Sequence, residues 1–360
     1  MKEKFRKIIC MIEKNLNSID KPNIMEVCGT HTMALAKSGL RDLFKNKINF
    51  LSGPGCPVCV THESYLDYIY ELSFEKDIII ATYGDMIRVP GSNASMSLEK
   101  AKAMGGNIKI VYSSMDALNL AKSNPKNNIV FLGVGFETTA PSTGIVINEA
   151  YENNISNFKV LSLHRRIKPI MTSLLREEDL KIDAFLCPGH VAAIIGENGF
   201  KFLEDYEKVG VIAGFETEEL LLALLRITTK LKNQENSLEN CYRSIVKPEG
   251  NKVALEGIKK TFTPDTDCWR GIGEVEQGAL KLQSKFKELN IETYFPIKNY
   301  VKDYSKQPKG CSCGEVLKGK ITPKECALFK KVCTPENPVG PCMVSLEGSC
   351  AAYYRYSYDI

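Results

Sequence analysis

Eight times along this chain an apolar, β-branched run stops abruptly in small or polar residues, and helix-like stretches separate most of these stops. The runs lead into VCGTHT (27–32), SGPGCPVC (52–59), ATYGD (81–85), YSSMD (112–116), GVGFETTAP (133–141), SLHRR (162–166), CPGHV (187–191) and AGFETEE (213–219), with helical segments at 97–104, 114–123 and 216–232 among those between them. Strand alternating with helix is the pattern of parallel β-sheets covered by helices. It constrains chemistry as well as shape, because the turns at the carboxyl ends of parallel strands vary freely while the sheet fixes their position. Cys28, Cys56, Cys59, Cys187 and His190 all fall at such ends.

A length of 360 residues predicts two or three domains. Gly-Phe-Glu-Thr occurs at 135–138 and again at 214–217, each time after an apolar run and before a helical segment, which suggests two similar halves with a break at 123–128. Beyond about residue 236 the pattern changes, and six of the thirteen cysteines fall between 311 and 350. The expected fold class is therefore α/β: two similar Rossmann-like parallel-sheet domains, 1–124 and 125–236, followed by a smaller Cys-rich, mainly helical and irregular domain, 237–360, held together by a cofactor.

The formal net charge is only +4, from 47 basic and 43 acidic residues, and no basic run forms a nucleic-acid stripe. At the N-terminus Phe5, Ile8, Ile9, Ile12 and Leu16 recur at helical spacing between charges, an amphipathic helix and not a secretory signal. No run of about 18 apolar residues predicts a membrane span. A cytoplasmic location is the expectation. In that reducing setting thirteen cysteines point to metal or redox chemistry before structural disulfides.

In VCGTHT, Gly29 permits a sharp turn and Thr30 can cap the following helix, leaving Cys28 near unpaired N–H groups and the positive end of the helix dipole. A thiol there is expected to ionise readily and to bind a soft metal. The plainer reading is a buried cysteine beside a capping threonine. GPGCPVC tips the balance by setting two thiols three apart, able to shuttle between dithiol and disulfide or to chelate a metal. His190 and Glu137 open helices and suit either ligand or structural roles. Cys10, Cys241 and Cys268 read as ordinary buried thiols.

The C-terminal spacing is Cys311-x-Cys313-x12-Cys326-x6-Cys333-x8-Cys342-x7-Cys350. It lacks the paired C-x2-C knuckles of a zinc ribbon and the run of bacterial ferredoxins. Four thiols suit a [4Fe-4S] cluster and leave two for a redox-active disulfide. Spacing does not say which four.

MEVCGTHT, GPGCPVC, GFETTAP, PGHV and CTPENPVGPCMVSLEGSCAAYYRY (333–356) together resemble the HypD family of hydrogenase maturation factors, spread over nearly the whole chain in the family's order. The resemblance implies a redox-active scaffold on which the Fe(CN)2CO unit of [NiFe]-hydrogenase is assembled, and leaves open whether the protein is also an enzyme. It implies a complex with HypC that shares the Fe(II) carrying CN and CO, cyanide delivered by HypE acting with HypF, and a monomer within heteromeric complexes. It also implies that Cys28 is the principal iron ligand with His31 in support, and that Cys56 and Cys59 are a redox pair able to bind iron in one state. By its likeness to ferredoxin:thioredoxin reductase, the C-terminal domain is expected to hold its [4Fe-4S] cluster with Cys311, Cys326, Cys333 and Cys350, beside a Cys313–Cys342 redox pair. The competing readings are a thiol–disulfide reductase of that kind and a zinc-stabilised binding module.

Overall fold

The computed structural model describes residues 2–93, 95–300 and 309–356. Each of the eight apolar runs is a strand: β1 Asn23–Glu26, β2 Asn49–Ser52, β3 Ile78–Thr82, β4 Ile108–Ile110, β5 Asn128–Gly135, β6 Phe158–Arg165, β7 Ala184–Pro188 and β8 Val209–Ala213. Three more follow, β9 Leu238–Asn240, β10 Phe262–Trp269 and β11 Gly273–Leu282. Among the described residues the strands form two sheets, ordered β2-β1-β7-β8-β9 and β10-β11-β6-β5-β3-β4. The first is parallel throughout. The second is parallel except for β10 and β11, a hairpin laid antiparallel against β6. Strands such as β3 and β7 are buried along their whole length, as covered parallel strands should be.

Helices seal the sheets where the sequence placed them. Lys2–Leu16 lays Ile8, Ile12 and Leu16 into the core shared with Leu220, Leu224 and Ile227 of Thr217–Asn233. Thr217–Asn233 starts at a capping box, with the Glu219 side chain accepting from the Glu216 N–H. Ser114–Ser123 is capped by the Ser113 hydroxyl. Among the described residues no helix is long and apolar enough to cross a membrane.

The expected break at 123–128 does not separate the sheets. β3 lies beside β5, so strands on either side of the break pair with one another, while β1, with β2 on its other edge, pairs with β7 beyond residue 180. The chain thus builds part of the first sheet, all four parallel strands of the second, then returns to finish the first. Beyond residue 237, β9 completes the first sheet and the β10–β11 hairpin extends the second. Strand patterns reveal where a strand is, but not which neighbour it chooses; that choice is made by long-range burial. The Cys-rich segment from 309 onward is helical and irregular, with the short helices Cys313–Leu317, Pro341–Val344 and Ser349–Tyr356. Side chains from both sheets and from this segment meet in one core that includes Met25, Leu132, Phe185, Trp269, Cys342 and Tyr353.

Candidate functional site: two thiol centres on one core

β1 and β2 are parallel neighbours, paired from Asn23 with Asn49 to Glu26 with Ser52, so the turns that follow them emerge side by side. Gly53 N–H donates to the Glu26 carbonyl at 2.8 Å, and Gly29 N–H to that of Gly55 at 3.4 Å. A Cβ on Gly55 would stand 2.3 Å from the Cys28 nitrogen, so glycine alone lets the two turns touch. Cys28 itself, not Thr30, is the N-cap of helix Gly29–Lys37, and its side chain makes no capping bond. Thr30 instead donates to the Glu347 carboxylate at 2.7 Å. Cys56 caps the short helix Pro57–Val60, accepting from Cys59 N–H at 3.2 Å, and the two cysteines are joined as a disulfide with Cα atoms 5.2 Å apart.

Burial overrides the helix dipole at Cys28. Its thiol is pushed up to about 11, chiefly by loss of water and secondarily by the Glu347 carboxylate, against partial relief from the His31 N–H. The expectation of ready ionisation is thereby corrected, because desolvation penalises the thiolate more than one helix end favours it. A cation taking the proton's place restores the thiolate.

The thiol faces a cavity of about 390 Å³ whose walls include Cys28, Thr30, Pro57, Gly135, His190 and Glu347. All but Glu347, which comes from the C-terminal segment, lie at the carboxyl ends of β1, β2, β5 and β7, so strand ends from both sheets share the cavity. Cys187 does not: it is buried within β7 and burial pushes its thiol up. His31 is fully buried, with Nε2 3.0 Å from the Gly214 carbonyl and Nδ1 without a partner. Burial lowers it to about 4, so the ring is neutral near pH 7 and Nε2 carries the proton that Gly214 accepts. Phe215 is sandwiched between His31 and His190, at centroid distances of 4.6 and 4.0 Å. The second Gly-Phe-Glu-Thr copy therefore braces both imidazoles, while the first uses Glu137 to accept from Ile167 N–H at the start of helix Ile167–Leu175.

The six C-terminal thiols converge. Cys311, Cys313, Cys326, Cys333 and Cys350 line one enclosed pocket closed by Leu328, Phe329 and Met343. Cys313 is drawn toward the thiolate by hydrogen bonds from Cys311, Cys342 and Cys350, which are pushed up in return. Val339 N–H donates to the Cys333 sulfur at 3.3 Å. Gly340 presses so close that a Cβ would lie 2.6 Å from both the Cys311 and the Cys313 sulfur. Among the described residues no three His, Cys, Asp or Glu side chains already stand at metal-ligand geometry. The donor set nonetheless fits an iron–sulfur group: soft sulfurs, apolar walls, and backbone N–H groups directed at sulfur.

The two centres adjoin. Helix Pro341–Val344, bearing Cys342, packs on helix Pro57–Val60, bearing Cys59, and both sulfurs lie in the same core. Of the remaining cysteines expected to be buried, Cys10 is exposed and Cys241 and Cys268 are half-buried. Glu347 and Phe215 are site residues that sequence reasoning did not single out. SLEGSC contains Glu347, but nothing local places it beside Cys28.

A family model described as "HypD: Hydrogenase formation hypA family" matches residues 3–357. The chain is 40% identical over 343 residues to the hydrogenase maturation factor HypD of Rhodobacter capsulatus, covering 94% of this chain and 90% of the relative. It is 41% identical over 336 residues to HypD of Escherichia coli, covering 92% and 88%. A putative hydrogenase expression/formation protein of Methanocaldococcus jannaschii is 41% identical over 352 residues, covering 98% and 96%. With its paired glycine-rich cysteine turns, its C-terminal thiol pocket and these likenesses along nearly its whole length, the chain belongs to the HypD family of hydrogenase maturation factors.

Proposed function

We propose that this protein is a redox-active scaffold on which the Fe(CN)2CO unit of [NiFe]-hydrogenase is assembled, with iron as cargo shared with HypC and cyanide arriving from HypE acting with HypF. The observation that carries the reading is the contact of Cys28 with the Gly55–Cys56 turn at a cavity shared by strand ends of both sheets. Cys28 is the principal iron ligand. Cys56 and Cys59, once reduced, bring two further soft donors beside it. His31, neutral and braced by Gly214 and Phe215, fixes the first turn of the Cys28 helix.

Cys311, Cys326, Cys333 and Cys350 are the ligands of a [4Fe-4S] cluster, which supplies single electrons when bound. Cys313 and Cys342 are its adjoining pair; Cys342 is absent from the pocket wall and sits on the helix packed against Pro57–Val60, which bears Cys59. In transfer, Cys342 hands its thiol proton to the neighbouring Cys313 thiolate, attacks the Cys56–Cys59 disulfide and forms a mixed disulfide, and the thiolate released takes that proton back from Cys313. Cys313 then resolves it, leaving Cys313–Cys342 oxidised and Cys56 and Cys59 as thiols, so two electrons move and no atom is lost. Burial favours this internal exchange over a reductase acting on outside substrates, since Cys56 is 3% exposed and Cys59 fully buried.

Anaerobic co-purification with HypC, followed by iron counting and infrared spectroscopy, tests the scaffold. The intact protein is expected to show C≡N and C≡O bands and Cys28→Ala to show none; bands of normal intensity in that variant would refute the assignment.

A further inference from the structure

The helix that Cys28 caps, Gly29–Lys37, packs against Ser349–Tyr356, the helix that carries Cys350. A buried polar brace ties the strand leading into the first helix to the second. Glu26, the last residue of β1 and two before Cys28, is fully buried and pairs with the Arg41 guanidinium. Ser52, its register partner at the end of β2, donates to the same carboxylate oxygen at 3.1 Å. Arg41, on the short helix Leu40–Phe44, donates to the Phe50 carbonyl at 3.3 Å and to the Tyr353 hydroxyl at 2.8 Å. Its guanidinium lies over the rings of Phe50 and Tyr353, 5.4 and 4.9 Å from their centroids. Tyr353 follows Cys350 by three residues, about one turn of the same helix.

As a way to fill a core this is unfavourable. Arg41 is 6% exposed and Glu26 not at all, and Glu26 Oε2 and Arg41 Nε have no partner. Two apolar side chains of like volume would occupy the same space at less cost, so the pair serves position more than stability. The planar fork of the guanidinium fixes direction as well as distance: Nη2 engages Glu26, and Nη1 engages Phe50 and Tyr353. A shift of the Cys350 helix must therefore stretch bonds that end at the base of the Cys28 turn.

We propose that Arg41 is a positioning residue for iron at Cys28: it holds the Cys28 turn in register with the Cys350 helix, so that the scaffold binds iron more tightly when its C-terminal thiol pocket is filled. The inference rests on the reading of Cys28 as iron ligand and of Cys350 as cluster ligand. A ligated Cys350 fixes the helix that bears it. Tyr353 is fixed with that helix, and Arg41 passes the constraint to Glu26. With the pocket empty the helix keeps more freedom, and the Cys28 turn loses more of its own on closing around the metal.

The test titrates Fe(II) into the full-length protein by calorimetry without oxygen, before and after reconstitution of the cluster, with Cys28→Ala titrated in each form as the blank. The wild type is expected to bind Fe(II) roughly tenfold more tightly with the pocket filled, an ordinary size for coupling between two sites. Tyr353→Phe keeps the ring and loses only the bond to Arg41, and is expected to shrink that ratio to about threefold. Arg41→Gln with Glu26→Gln, which leaves no unpaired charge, is expected to abolish it. A merely structural role would weaken both forms alike and leave the ratio standing. Equal affinities in the two wild-type forms overturn the proposal, as does an undiminished ratio in the folded double variant, or in Tyr353→Phe should the double variant not fold. A wild type that binds no iron above the Cys28→Ala blank, or that holds no acid-labile sulfide after reconstitution, overturns the underlying reading instead.

Discussion

Thr30 donates a 2.7 Å hydrogen bond to Glu347 across 317 residues of sequence, and it does so at the wall of the cavity that Cys28 faces. Gly29 packs against the same residue, so closely that a Cβ there would stand 2.5 Å from the Glu347 backbone oxygen. The C-terminal segment is therefore a wall of the Cys28 cavity as well as the frame of the thiol pocket. Thr30→Val deletes a charge-assisted bond and is expected to cost about 1–3 kcal/mol. It should also raise amide hydrogen exchange across residues 345–350; exchange unchanged from wild type there would show that the contact does not hold the wall.

Gly55→Ala tests the contact between the two cysteine turns. The added methyl meets backbone atoms of Val27 and Cys28, which cannot swing aside as a side-chain tip can. A loss of about 2 kcal/mol in denaturant unfolding is expected, together with weakened iron binding. Tight iron binding in a destabilised Gly55→Ala protein would argue that Cys28 binds without its neighbours.

The division of the C-terminal thiols is read by counting iron and acid-labile sulfide in proteins purified without oxygen. Alanine at Cys311, Cys326, Cys333 or Cys350 is expected to empty the cluster. Serine at Cys313 or Cys342 is expected to leave iron and sulfide intact while abolishing transfer to Cys56–Cys59. Full sulfide in Cys350→Ala, or none in Cys342→Ser, would redraw the ligand set.

Glu137 gives a pH dependence. Burial raises its carboxyl from 4.5 to about 7, against its bond from Ile167 N–H. The folded state then holds the proton more tightly than the unfolded one. The stabilisation is complete below about 4.5 and is lost as pH rises through about 7. Glu137→Gln keeps an acceptor for Ile167 and removes the ionisation. Thermal melts should show wild type losing on the order of 3 kcal/mol relative to this variant across that window. Parallel pH profiles for the two proteins would show that the carboxyl does not titrate on its own in the fold.

The sequence by itself determined the elements and their chemistry. Eight apolar runs became eight strands, Ser114–Ser123 formed a helix over its whole predicted span, and the cysteine turns landed at strand ends, because periodicity and turn residues act over a few residues. Tertiary structure decided what those elements meet. That β3 joins β5 across the expected break, that Phe215 braces two histidines, that Glu347 reaches Thr30 and that burial lifts the Cys28 thiol toward 11 all depend on partners distant in sequence. Burial and pairing energies are properties of the assembled core, and no local window of residues encodes them.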